Sequence, residues 1–99
     1  MNTNFTARKF DASQQLQDFA IEEVKKLTRF YDDIISCDIL LEPTPDNDEP
    51  ARAELMVKVK QDLLNATEAG PAYEQAIRSA VDNMRRQLIK YKDKRFSRN

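Results

Sequence analysis

The residues that could do chemistry are concentrated near the end of the chain. From residue 85 onward seven bases stand against one acid, a local charge of about +6 in a chain whose formal net charge is −1. The bases are Arg85, Arg86, Lys90, Lys92, Lys94, Arg95 and Arg98, and the acid is Asp93. Converging Lys and Arg side chains bind nucleic-acid phosphates, with affinity arising from counterion release. We therefore predict that this segment binds an RNA backbone.

The spacing of these bases predicts two rows on a helix. Arg78, Arg85 and Lys92 are seven residues apart and share a face beside the apolar stripe. Arg86 and Lys90 are four apart and lie next to them. The alternative is a solvated helix end whose cations complement the helix dipole. We favour phosphate binding because almost no Glu partners are present to neutralise the bases.

Two other groups of bases could widen this surface. Lys25, Lys26 and Arg29 end a predicted first helix, and they would join the surface if the two helices are neighbours. Alone, they would only complement that helix's dipole. Lys58 and Lys60 alternate on the exposed face of a predicted strand, where the alternative is an ordinary solvated sheet surface.

The composition argues against an enzyme. The chain has no His and one Gly, so it lacks an imidazole base and a glycine-rich phosphate loop. Cys37 falls on the inward phase of a strand and is interpreted as a small buried hydrophobe. The acidic loop at residues 46–49 lacks the spacing of a calcium loop. We expect no catalytic residue, no metal site, no cofactor and no small-molecule substrate.

Length and hydropathy indicate one globular domain. Ninety-nine residues can bury one modest core. We assign residues 1–94 to this domain and residues 95–99 to a basic flexible tail. No stretch has the length of a membrane span, and the first residues lack the apolar core of a signal peptide. A single cysteine fits a reducing compartment, so we expect a cytoplasmic protein. We also expect the free protein to be monomeric.

Hydrophobic periodicity predicts six elements in the order β-α-β-β-β-α. They are a strand over 2–8, a helix over about 12–30, strands over 34–42 and 51–60, a strand ending near 68, and a helix from Gly70-Pro71 to about 91. Asp11 or Ser13 is predicted to cap the first helix. Ile35, Cys37 and Ile39 are expected on an inward strand face, and residues 92–99 are expected to fray. The pattern predicts an α+β two-layer sandwich.

The segment RQLIKYKDK, residues 86–94, resembles the RQL-x-K-x-K-D/E-K signature of the ribosome hibernation promoting factors. This family is also called ribosome-associated inhibitor A or sigma-54 modulation protein. Shorter similarities run through FDAS followed by Leu16, through KL and FYD at the exit of the first helix, and through YEQAI at the start of the second. The resemblance therefore covers almost the whole chain.

The resemblance implies a four-stranded mixed sheet with two helices on one face, related to double-stranded-RNA-binding domains. It implies binding to the small ribosomal subunit and its rRNA, in the path of messenger and transfer RNA, so that translation is blocked. By motif, the candidate RNA contacts are Arg86, Lys90, Lys92 and Lys94. Arg78 replaces an Asp frequent in the family. The chain resembles the short form, which should not pair ribosomes by itself.

Two other functions fit the sequence less well. A general double-stranded-RNA-binding module would bind any A-form duplex with comparable affinity. A protein-interaction domain would use the acidic loop or the sheet face, and its partner binding would survive neutralisation of the bases from Arg86 to Lys94.

Overall fold

The computed structural model describes residues 1–96, with side chains described through Lys94. Its elements are β1 (Asn2–Ala7), α1 (Gln14–Lys25), a 3₁₀ turn (Lys26–Arg29), β2 (Ser36–Pro43), β3 (Ala51–Val59), β4 (Asp62–Gly70) and α2 (Tyr73–Phe96). The order agrees with the order predicted from periodicity. No helix among these residues is both long and apolar enough to cross a membrane.

The four strands form one mixed sheet in the order β1-β2-β3-β4. β1 pairs with β2 in parallel, whereas β2–β3 and β3–β4 are antiparallel. The inner face of the sheet packs against both helices in a single core. This arrangement confirms the predicted α+β sandwich with a four-stranded mixed sheet and two helices on one face.

The connections give both helices the same direction relative to the sheet. A parallel β1–β2 pair needs a crossover, so α1 must run back along the sheet before β2 begins. β4 is parallel in direction to β1 and β2, because two antiparallel steps separate it from β2. α2 therefore also runs back along the sheet. The C-terminal ends of both helices lie at the edge where β2 begins and the β3–β4 hairpin turns.

The core follows the predicted apolar stripes with one exception. Leu16, Ala20 and Val24 of α1 are buried, as are Ile77 and Leu88 of α2. In contrast, Ile35, expected on the inward strand face, is 47% exposed and Ile34 is buried instead. The reason is that β2 begins only at Ser36, so the strand alternation does not reach back to these residues.

The first helix begins and ends inside its predicted limits. The Ser13 hydroxyl accepts a hydrogen bond from the backbone N–H of Leu16 at 3.1 Å, which identifies Ser13 as the N-cap. The regular helix stops at Lys25, and the chain tightens into a 3₁₀ turn to Arg29. Such turns are common at helix ends.

The expectation that Gly70 and Pro71 open the second helix is wrong. Gly70 is the last residue of β4, and α2 begins at Tyr73, with the first helical hydrogen bond from Ala76 N to Ala72 O. Gly70 instead allows the end of β4 to lie close to the backbone of the first turn of α2. A Cβ at this position would lie 3.3 Å from the backbone nitrogen of Ala76. Glycine thus lets the strand end against the first turn of α2.

The second helix continues beyond its apolar stripe. Tyr91 is the last stripe residue, and its ring meets that of Tyr31 edge to face with centroids 5.5 Å apart. Residues 92–94 are exposed, yet the helix runs on to Phe96. Lys and Arg are good helix formers, which fits the continuation of the helix past residue 91, where the sequence pattern predicts its end. The predicted fraying of the last residues stays a prediction. Of the predicted flexible tail, residues 97–99 lie outside the described residues.

The buried stripe of α2 should dominate its contribution to stability. Leu88 is fully buried, so Leu88→Ala should lower the free energy of unfolding by about 2–5 kcal/mol. The measurement is urea denaturation followed by circular dichroism. The neighbouring Ile89 is 37% exposed, and Ile89→Ala is the matched control, expected to cost well under half as much. Equal losses from the two variants would contradict the packing described here.

Candidate nucleic-acid interface

The fold brings most of the predicted bases to one end of the molecule, whereas Arg78 lies near the beginning of α2, away from that end. The ends of α1 and α2 and the β3–β4 hairpin lie at the same edge of the sheet. Thr28, Arg29 and Phe30 line one cleft together with Lys92 of α2. On the other side of α2, Lys94 lines a second cleft with Gln61 of the hairpin. The two helices are therefore neighbours, as required if Lys25, Lys26 and Arg29 are to extend the surface formed by the bases of the second helix.

The predicted row of Arg78, Arg85 and Lys92 faces the first helix and the turn that follows it. The guanidinium of Arg78 lies over the ring of Phe19, 5.1 Å from its centroid. Arg85 lies over the ring of Phe30 at 5.7 Å. Cation–π contacts of this kind attach the helices to each other. Two members of this row therefore have a packing role that the sequence did not indicate.

The second row lies on the other side of α2, towards β4. Arg86 and Lys90 line a shallow cleft, and Lys90 and Lys94 line the next one. Between them, the side-chain amide of Gln87 donates to the backbone oxygen of Asn65 at 2.7 Å. The bond holds α2 against β4. Within the RQL motif, Gln87 and Leu88 therefore position the helix, while Arg86 is exposed.

Asp82, an acid upstream of the basic segment, partly neutralises the charges of Arg85 and Arg86 on the second helix. One oxygen of the Asp82 carboxylate accepts from Arg85 Nε at 3.2 Å and from Arg85 Nη2 at 2.8 Å. The other oxygen accepts from Arg86 Nη1. The Arg85 hydrogen bonds, aided by both positive charges, lower the pKa of Asp82 below its ordinary value. Counting charges only from residue 85 onward concealed this partner three and four positions upstream.

The bases that end the first helix are not equivalent. Lys25 Nζ pairs with Glu22 at 3.4 Å, and Lys26 Nζ pairs with Glu23 at 2.9 Å. These i,i+3 pairs stabilise the helix end. Arg29 pairs with no acid among residues 1–94. It is thus the base of this group most free to meet a phosphate.

The outer sheet face carries acids as well as bases. Glu42 is only 8% exposed and accepts from both Arg8 and Arg52, while Glu54 lies 3.9 Å from Arg52. The Arg52 charge is therefore compensated by two acids. Lys58 and Lys60 are exposed and form no ion pair within the described chain. Both lie at the hairpin end of the sheet, which is also the end at which the two helices finish.

Six predicted bases without an ion pair among residues 1–94 therefore share one edge of the sheet. We call this set the basic end: Arg29, Lys58, Lys60, Lys90, Lys92 and Lys94. Asp32 and Asp33 line the cleft with Arg29 and Lys92, and Asp62 lines the clefts with Lys94. Bases thus outnumber the neighbouring acids at this end, while these acids and the exposed Asp93 interrupt the basic surface. The side chain of Arg95 lies outside those described.

The acidic loop lies at the opposite end of the sheet. It joins β2 to β3, whereas the basic end surrounds the β3–β4 hairpin. Asp46 accepts from the backbone N–H groups of Asp48 at 2.8 Å and Glu49 at 3.2 Å, which orders the loop. Opposite charges at opposite ends create a directional field that orients the approach of an anionic partner.

Other candidate groups are used in packing. Tyr73 stacks on Phe10 with centroids 4.5 Å apart. The Cys37 side chain is fully buried, and burial raises the pKa of its thiol to about 12. The burial of Cys37 confirms its interpretation as a small buried hydrophobe, and the stacking gives Tyr73 a role in packing. Within residues 1–96 no group of three His, Cys, Asp or Glu residues could hold a metal ion.

The comparison with protein families decides the identity of the chain. The model of the family described as sigma 54 modulation protein / S30EA ribosomal protein matches residues 3–95. The chain belongs to this family. The resemblance found in the RQLIKYKDK segment is thereby confirmed. No curated protein sequence matches the chain closely enough to be counted as a relative.

Two solved structures show the same fold. The Protein Y N-terminal domain of Thermus thermophilus has a TM-score of 0.80 and 23% sequence identity, covering 92% of this chain and 99% of that one. A ribosomal subunit interface protein from Coxiella burnetii has a TM-score of 0.82 and 18% identity, covering 93% and 98%. At these identities the likeness establishes the architecture.

Family membership makes the chain a ribosome-associated protein with a binding and regulatory role rather than an enzymatic one. The predicted partner, the ribosome, is confirmed at this level. Binding to the small subunit, contact with rRNA and the individual contact residues stay predictions.

The Asp82 contacts can be checked by titration. Because the Arg85 hydrogen bond is the largest cause of the low Asp82 pKa, Arg85→Ala should raise that pKa towards its ordinary value of 3.8. Carboxyl-carbon NMR titration of labelled protein measures the change. A depressed pKa makes the ion pair's contribution to stability present above 3.8 and lost as the pH falls further. An unchanged Asp82 pKa in Arg85→Ala would contradict the assigned contacts.

Proposed function

We propose that this protein is a ribosome hibernation factor that inhibits translation by binding rRNA of the small subunit through its basic end. The observation that supports this proposal is the convergence of six bases, without ion pairs among residues 1–94, from two helices and a hairpin. The family supplies the ribosome as the partner. The Lys and Arg side chains of the basic end indicate that the bound groups are RNA phosphates.

The proposed inhibition is steric. A domain with extents of 47 × 25 × 18 Å, held by one end, would occupy the path of messenger and transfer RNA without any reaction. Because several elements packed on one core present the bases, the surface is preorganised and loses little conformational entropy on binding. With the ribosome as its partner, the proposed inhibitor would act in the cytoplasm.

The charge distribution favours one orientation on the ribosome. Phosphates attract the basic end and repel Asp46, Asp48 and Glu49 in the loop at the other end. Each exposed charge acts over roughly 8 Å at physiological ionic strength, so the two ends act separately across the length of the sheet. The docked molecule would therefore point its acidic loop away from the RNA backbone.

A general duplex-RNA-binding module is the main alternative. It would bind any A-form duplex through phosphates and 2′-hydroxyls, with little sequence preference. Small-subunit binding measured with a large excess of bulk duplex RNA separates the two functions. Loss of subunit binding to the competitor would favour the general module, whereas retention supports the proposal.

The lysines of α2 provide the quantitative test. Replacing Lys90, Lys92 and Lys94 by Gln should weaken small-subunit binding and flatten its dependence on salt. Each lost phosphate contact lowers the slope of log affinity against log salt by about 0.7–0.9, so the triple variant should lose roughly 2–3 units. Sedimentation binding at several potassium concentrations measures both effects.

Lys9→Gln is the control for loss of a lysine charge outside the basic end, although it removes one charge where the triple variant removes three. Lys9 is exposed in the connection between β1 and α1, at the end of the sheet away from the hairpin. Its replacement should leave the salt slope unchanged. Equal slopes for the wild type and the triple variant would refute phosphate binding by these three lysines.

A further inference from the structure

We propose that Asp82 competes with RNA phosphate for Arg85 and Arg86, so that this carboxylate limits how tightly the second helix binds RNA. The inference deepens the proposed function and rests on it for the nature of the partner. It concerns an acid that neither the charge count nor the family signature points to.

The geometry places the carboxylate where a phosphate would bind. Arg85 directs Nε and Nη2 at one oxygen of Asp82, at 3.2 and 2.8 Å, and Arg86 directs Nη1 at the other. Guanidinium groups bind phosphate through the same parallel N–H donors. One pair of acceptor oxygens therefore already engages both arginines before RNA arrives.

The packing of Arg85 restricts rotation of its guanidinium group, so this arginine cannot easily present other N–H donors to RNA. Its guanidinium lies over the Phe30 ring at 5.7 Å, and its side chain is 35% exposed. Rotation away from Asp82 would also remove the ring contact. A phosphate approaching this arginine must therefore displace the carboxylate from the Nε and Nη2 edge or bind with a poorer geometry.

Arg86 is less restrained. It is 61% exposed, and its contact with Asp82 is an i,i+4 pair on the helix surface. The Asp82 side chain is 49% exposed and would be hydrated on displacement. Exposed pairs of this kind are weak, so phosphate can compete successfully. Asp82 should therefore reduce affinity without abolishing the use of either arginine.

A second acid on the same helix provides a control for charge alone. Asp93 is exposed and forms no ion pair with a base among residues 1–94. Asp82→Asn and Asp93→Asn each remove one negative charge from α2. Only Asp82→Asn weakens a contact that engages arginine donors, because the amide oxygen of Asn is a weaker acceptor than a carboxylate. A difference between the two variants therefore measures the competition.

The experiment compares wild type, Asp82→Asn and Asp93→Asn in binding to purified small subunits and to a bulk RNA duplex, each over a range of salt. Asp82→Asn should bind about two- to fivefold more tightly than Asp93→Asn, the range expected for exposed ion pairs. Its salt slope should be steeper by at most about 0.7–0.9, the value of one phosphate contact, because the wild type already uses these arginines in part. Urea denaturation confirms that both variants are folded.

Two results would overturn the inference. Equal affinities and slopes for the two variants would show that Asp82 acts only through its charge. Weaker binding by Asp82→Asn would show that the carboxylate orients the arginines for RNA. The duplex measurement separates this inference from the proposed function: if the wild type does not bind small subunits, the proposed function fails, while the duplex comparison still decides the role of Asp82.

Discussion

The parallel pairing of β1 with β2 constrains the whole molecule, because it forces α1 to run back along the sheet. The two antiparallel steps that follow give α2 the same direction. Both helices therefore end beside the β3–β4 hairpin, with the negative ends of their dipoles together. Cations are favoured at such ends. Bases from distant parts of the chain therefore converge because of the order and direction of the strands and helices. No sequence motif shared by these parts is required.

The second helix serves folding and binding with different faces. Its buried stripe, from Ile77 to Leu88, joins the common core, and Gln87 fixes it to the backbone of β4. Its exposed lysines extend past the stripe to the basic end. A helix held in this way presents charges from a rigid support, which reduces the entropy lost when they meet a partner. The same helix also contains Asp82, which restrains two of its arginines.

Local sequence signals predicted the elements and their order, since strand alternation and helical periodicity report directly on one-sided burial. They did not predict contacts between elements. Ile35 was misplaced because the strand starts two residues later than predicted, at Ser36, and Gly70 was misassigned because strand and helix ends both favour glycine. The compensation of Arg52 by Glu42 depends on sheet register, and the contacts of Arg78 and Arg85 with phenylalanines depend on helix packing. Asp82 could have been found by examining positions three and four residues before each arginine.

The most direct test of the central claim is to determine which end of the protein meets rRNA. Thr28→Cys lies at the basic end and Asn47→Cys in the acidic loop, and both positions are exposed. The native Cys37 is buried with a pKa of about 12, so a photoactivatable reagent should label only the introduced thiol. After binding to small subunits, we expect crosslinks to rRNA from position 28 and few or none from position 47. Crosslinking chiefly from position 47, or equally from both, would contradict binding through the basic end.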